Sequence, residues 1–83
     1  MSWTLEKIRR KKDRVVLFDL INDSCDMHNI FDIKGDLVES EHGSTSGISY
    51  DMTCLEWSEY ERAQFDSNEE YKIMYDFLKD RLL

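Results

Sequence analysis

Seven residues, Val15-Val16-Leu17-Phe18-Asp19-Leu20-Ile21, form an apolar run broken only by one aspartate. Their β-branched and large side chains, followed by the turn formers Asn22, Asp23 and Ser24, predict a central β-strand. In a chain of 83 residues there is room for one core only, because domains usually run to about 100–150 residues. Everything else must therefore pack around that strand, and residues 1–83 read as a single small acidic domain. With 41% hydrophobic residues the chain has enough apolar surface for a core, so its 35% charged residues do not imply disorder.

The flanking segments complete an α+β pattern. Residues 2–12 read as a short N-terminal helix, with Ser2 or Thr4 as cap and Leu5 and Ile8 on one face. Met27–Lys34 and Leu37–Ser40 read as two strands joined by a tight turn at Lys34-Gly35-Asp36. Glu41–Gly47, with two glycines, Ser44, Thr45 and Ser46, has the composition of an exposed loop. Ile48, Tyr50, Met52 and Cys54 then alternate with polar residues, the period of a half-buried strand.

Beyond it, Ser58 with Glu61 and Ser67 with Glu70 have the spacing at which a hydroxyl and a carboxylate satisfy the first free amides of a helix. Tyr71, Met74, Phe77 or Leu78, and Leu82 follow the second pair as an apolar stripe. The expected fold is a short N-terminal helix, a three- to four-stranded mostly antiparallel sheet, and one or two C-terminal helices packed on it.

Charge is divided sharply along the chain. Residues 1–14 carry six basic groups and two acids, a net of +4, whereas residues 15–83 carry five basic and sixteen acidic groups, a net of −11. Opposite charges attract locally, so the basic head is read as neutralising part of its own acidic body in preference to gripping phosphates. No apolar run approaches the about 20 residues of a membrane span, and the charged N-terminus lacks a signal-peptide core. A cytoplasmic protein is expected, with Cys25 and Cys54 as reduced core residues.

The acids supply the main functional signal. Asp23, Asp26, Asp32, Asp36, Glu39 and Glu41 fall on or between the middle strands, while Glu56, Glu59, Glu61, Asp66, Glu69 and Glu70 surround Trp57 and Tyr60. Closely spaced carboxylates present to a basic groove what a nucleic-acid backbone presents, and interleaved aromatics suit interface anchors. A solvated surface that keeps a small domain soluble is the plainer account of the same acids. The expected partner is a basic, nucleic-acid-binding protein, with no direct nucleic-acid or membrane contact.

Chemistry by other routes has weaker support. Cys25, His28, His42 and Cys54 are soft ligands of the zinc type, but only Cys25 and His28 are closely spaced, and no metal or other cofactor is expected. Asp19, Asp32 and Lys34 resemble in outline the acid and acid-x-Lys of metal-dependent nucleases. No glycine-rich phosphate loop, Gly-x-Ser-x-Gly elbow or His-Glu-x-x-His helix is present, so no catalytic residue is assigned.

In style, the short chain, the acidic body from Asp19 onward and the mixed order of elements resemble small phage-encoded inhibitors of bacterial defence, the anti-CRISPR and anti-restriction proteins. That resemblance implies inhibition by binding and transfers no residues. An immunity protein or antitoxin against a basic nuclease toxin is the physical equivalent with another partner, and a small metal-dependent nuclease using Asp19, Asp32 and Lys34 is the enzymatic alternative.

Overall fold

In a computed structural model, which describes residues 2–41 and 56–82, an antiparallel sheet of five strands is followed by one helix. The strands are β1 (Trp3–Arg10), β2 (Val16–Asn22), β3 (Met27–Phe31), β4 (Leu37–Glu41) and β5 (Tyr60–Ala63), the last preceded by a 3-10 turn at Trp57–Glu59. Helix α1 spans Asn68–Arg81. Spatial order is β4-β3-β2-β1-β5, which places the apolar run at the centre as its composition requires. Among the described residues no helix is long and apolar enough to cross a membrane.

Two expectations are corrected here. Residues 2–12 are not a helix: Trp3–Arg10 is a strand paired with β2 from Trp3–Asn22 to Arg9–Val16. Leu5 and Ile8 do not share a face. Leu5 packs with Phe18, Leu20, Phe31 and Leu78, whereas Ile8 packs on the opposite side of the sheet with Leu17, Ile30 and Tyr60. A strand buried on both faces loses the clean alternation that reveals it, and an isolated helix this short is marginal in water.

The second correction concerns Ser58 and Glu61. No helix starts there; Trp57–Glu59 makes one 3-10 turn without a side-chain cap, and Tyr60–Ala63 extends along β1 with Tyr60 opposite Arg10 and Ala63 opposite Lys7. The sheet thus has five strands instead of three to four, and one C-terminal helix follows it. Glu41 ends β4, while the expected loop over 42–47 and the period-two strand over 48–54 lie outside the described residues.

The hairpin of β3 and β4 forms where expected. Asp32 Oδ1 accepts from the amides of Lys34 (2.8 Å) and Asp36 (3.0 Å), which folds the chain back, and Gly35 takes the left-handed conformation at φ +85. A Cβ at Gly35 would stand 2.9 Å from the Phe77 ring of α1. Gly35→Ala therefore combines a disfavoured backbone with a clash, and a loss of about 1–2 kcal/mol in urea unfolding is expected.

Helix α1 begins at Ser67, whose Oγ accepts from the Glu70 amide at 3.1 Å, as the capping spacing predicts. The Glu70 carboxylate accepts from the Asp66 amide (3.1 Å) and from Lys7 Nζ on β1 (2.8 Å), so one side chain caps the helix and ties it to the sheet. Of the apolar stripe, Leu78 is fully buried, Tyr71 and Met74 pack at the margin, and Phe77 and Leu82 stay more than a third exposed. Glu69 and Glu70 in the first turn and Lys79 and Arg81 in the last suit the helix dipole.

The far face of the sheet is concave. Strands β4 and β5 are its two edges, four strand spacings or about 19 Å apart measured along the sheet. Yet the Tyr60 hydroxyl of β5 donates to Glu39 Oε2 of β4 at 3.0 Å. Two side chains cannot bridge a flat sheet of that width, so the sheet coils enough to bring the side chains of its two edges together across the face formed by Ile8, Leu17 and Ile30.

Candidate functional site

The concave face gathers the polar chemistry of the molecule. Asp19 stands there because it follows Phe18 on β2 and so points away from the helix. It is fully buried, and its Oδ2 lies 2.8 Å from His28 Nδ1 across the β2–β3 ladder. Oδ1 makes no hydrogen bond. Burial pushes the Asp19 carboxyl above the usual carboxylate range, and Glu6 opposite it on β1 adds to the rise, outweighing the opposing pull of His28 and the Asn29 amide.

His28 links this buried acid to the surface. Its Nε2 is 3.6 Å from Asp26, and its ring meets Trp57 edge-on with centroids 4.8 Å apart. Trp57 in turn lies 6.2 Å from the Tyr60 ring. The Tyr60 hydroxyl is pushed up to about 12 by burial and by the Glu39 carboxylate that accepts its hydrogen bond, so it stays a neutral donor at physiological pH.

Beside these rings is a cavity of about 350 Å³, whose walls among the described residues are Glu6, Ile8, His28, Trp57, Tyr60, Glu61 and Arg62. One carboxylate, that of Glu6, two aromatic rings and an imidazole converge on it, since Glu61 lies opposite Arg9 on β1 and turns its carboxylate to the helix side of the sheet. Glu6 is paired with Arg62 at 3.6 Å, and Glu61 with Arg9 at 3.3 Å. The cavity is mixed in character, with the Glu6–Arg62 pair on one side and flat aromatic surface beside it.

The predicted contact residues divide between this face and the rest of the molecule. Glu56, Trp57, Glu59 and Tyr60 are contiguous here, joined by Glu39 through Tyr60 and by Asp26 through His28, whereas Glu61 turns to the helix side, where it pairs with Arg9. Tyr60 is in the core, whereas Trp57 is 41% exposed. The remaining acids serve local structure elsewhere. Asp23 accepts from Ser2 and Thr4, Asp32 holds the β3–β4 turn, Asp36 faces Arg81 at 3.6 Å, and Asp66, Glu69 and Glu70 surround the start of α1. Glu41 is the last residue of β4.

Sequence reasoning did not single out Glu6 or Arg62, and it treated Asp19 and His28 only as ligands or bases. No linear signal joins them, since their proximity depends on the registers Glu6–Asp19, Asp19–Ile30 and Ile8–Arg62. The nuclease-like set is not assembled: Asp19 is buried against His28, Asp32 is engaged by the amides of its own turn, and Lys34 is exposed in that turn. Cys25 is an exposed free thiol in the β2–β3 turn, not a core residue, because Asn22 draws in Ser24 and turns the chain outward. His42 and Cys54 lie outside the described residues, among which no group of three ligands is placed to hold a metal ion.

An antiparallel five-stranded sheet with one helix on its convex side and an acidic, aromatic concave side defines the class of the protein as α+β. No family model, curated protein or solved structure shows a significant match to the chain.

Proposed function

We propose that the chain is a small acidic binding protein that inhibits a nucleic-acid-acting protein by occupying its basic site. The observation that carries this reading is Trp57, 41% exposed on a turn flanked by Glu56 and Glu59. Neither carboxylate takes part in an ion pair with another described residue. A rigid aromatic ring beside unneutralised charge is the composition of an interface anchor with a polar rim.

The fate of the basic head supports the same reading. Lys7, Arg9 and Arg10 pair with Glu70, Glu61 and Asp13, so half of the head's cations are neutralised internally, and Lys11, Lys12 and Arg14 stand at the β1–β2 tip. With a net charge of −7 the remaining field steers the protein toward basic surfaces and away from phosphates.

The test is capture from a nuclease-treated lysate of the native host with the wild-type chain and with the double variant Glu56→Lys, Glu59→Lys. The expected result is a basic protein that is displaced by added DNA, is lost with the variant, and binds about tenfold or more weakly at high salt than at low salt. A partner held independently of salt and undisturbed by DNA refutes the proposal. Unchanged thermal melting of the variant separates lost contact from lost fold.

A further inference from the structure

We infer that the cavity on the concave face, with Trp57 and Tyr60 as flat walls and the Glu6–Arg62 pair as its polar side, is a seat for the guanine base of a neutral nucleoside. The inference goes beyond the reading of the chain as an acidic binding protein and does not depend on it.

The walls are held in place by their own contacts. His28 lies 2.8 Å from Asp19 and the Tyr60 hydroxyl 3.0 Å from Glu39, and the Trp57 ring is set against both, with centroids 4.8 and 6.2 Å away. Trp57 is still 41% exposed, so indole surface is left for a further ring to stack on. The buried Ile8 adds apolar surface, and about 350 Å³ is at the small end of ligand cavities, room for a bicyclic base with its sugar directed outward.

Charge selects a neutral occupant. Arg62 stands opposite Ile8 and Glu6 two residues before it on the same face, and their charges cancel. An incoming ion would be attracted by one of the two and repelled by the other. Their capacity for hydrogen bonds is open, because the 3.6 Å between Arg62 Nη2 and Glu6 Oε1 is too long for a bond and the side chains are 87% and 36% exposed.

The pair also selects among bases. A carboxylate accepts two parallel bonds from adjacent N–H groups, and a guanidinium beside it donates to an acceptor next in line. The complementary edge reads donor, donor, acceptor, which guanine presents in its 2-amino group, N1–H and O6. Adenine, cytosine and uracil each turn an acceptor toward the carboxylate. Phosphate-bearing forms are disfavoured by the net charge of −7 and by Glu56 and Glu59, which flank Trp57.

The experiment titrates the full chain, labelled with nitrogen-15, with guanosine, inosine, adenosine and guanosine monophosphate. Guanosine is expected to shift the Trp57 indole N–H saturably, and inosine, which lacks the 2-amino group, to bind about tenfold more weakly. Adenosine should leave the signal unmoved. The monophosphate should bind about tenfold more weakly at low salt, with the difference narrowing as salt rises. Glu6→Gln and Arg62→Ala should each weaken guanosine about tenfold with thermal melting unchanged. A Trp57 signal that guanosine does not move, inosine or adenosine bound as tightly as guanosine, a monophosphate bound more tightly, or indifference to Glu6→Gln overturns the assignment. Capture of a basic partner tests the earlier reading alone, and guanosine binding tests the seat alone.

Discussion

Replacing Leu78 by alanine is expected to lower the unfolding free energy by about 3 kcal/mol, the usual result of emptying a fully buried leucine site. Leu78 is the one fully buried residue of α1, and it joins the helix to Leu5, Phe18, Leu20 and Phe31 on three strands. No other described residue of α1 is positioned to fill the void, since Met74 and Tyr75 pack only at its edge. A domain of this length has a total stability of about 4–12 kcal/mol, so the loss is a large share of it and corresponds to a fall in Tm of about 15 °C. Ile73→Ala on the exposed side of the same helix serves as the control, with a change of about 0.5 kcal/mol or less. The check is chemical denaturation. The midpoint should move for Leu78→Ala with the slope unchanged, and equal midpoints for the two variants would show that the helix does not close the core.

Asp19→Asn is expected to act in the opposite direction at pH 8, stabilising the protein by about 1–3 kcal/mol, because it removes a buried charge whose desolvation outweighs its attraction to His28. The wild-type carboxylate is fully buried with one oxygen unbonded, and its carboxyl is shifted upward because burial outweighs the attraction of His28. A group whose folded value is raised stabilises fully below its unfolded value, near 3.8 for this residue, and loses that contribution as pH rises through the folded value. Asparagine does not titrate. The advantage of the variant should therefore be absent near pH 3.5 and grow as pH rises through the folded value. Urea midpoints measured from pH 3.5 to 8 test this, and a variant less stable than the wild type at pH 8 would mean that the His28 contact dominates the site.

Acid acts oppositely on two other carboxyls. Glu70 is held below its usual range first by the hydrogen bond from Lys7, and Asp13 by that from Arg10. Their contributions are present above the unfolded values and disappear as pH falls through the folded ones. The acid limb of the wild-type stability profile thus includes Asp19 gaining and these two losing.

How much of this was legible in the sequence depends on how local each signal was. The strand at Val15–Ile21, the hairpin turn with Gly35 and the cap at Ser67 could be read because each is specified by residues within a few positions of one another. The candidate site was half legible. Trp57 among Glu56, Glu59 and Glu61 is a contiguous cluster, whereas Glu6, Asp19, His28 and Arg62 come from four different strands and meet only through register.

By itself the sequence determined the surplus of negative charge, the central apolar strand and the C-terminal helix, since composition, a β-branched run and a capping hydroxyl act at short range. Only the tertiary structure decided that Trp3–Arg10 is a strand, because Leu5 and Ile8 find separate cores on the two faces of a sheet. It decided likewise that Tyr60–Ala63 leaves the helix its capping spacing suggests and pairs with β1, some fifty residues away in the chain. It also determined that the coiled sheet brings Tyr60 to Glu39. Each of these depends on contacts distant in sequence, where pairing and burial outweigh weak local preference.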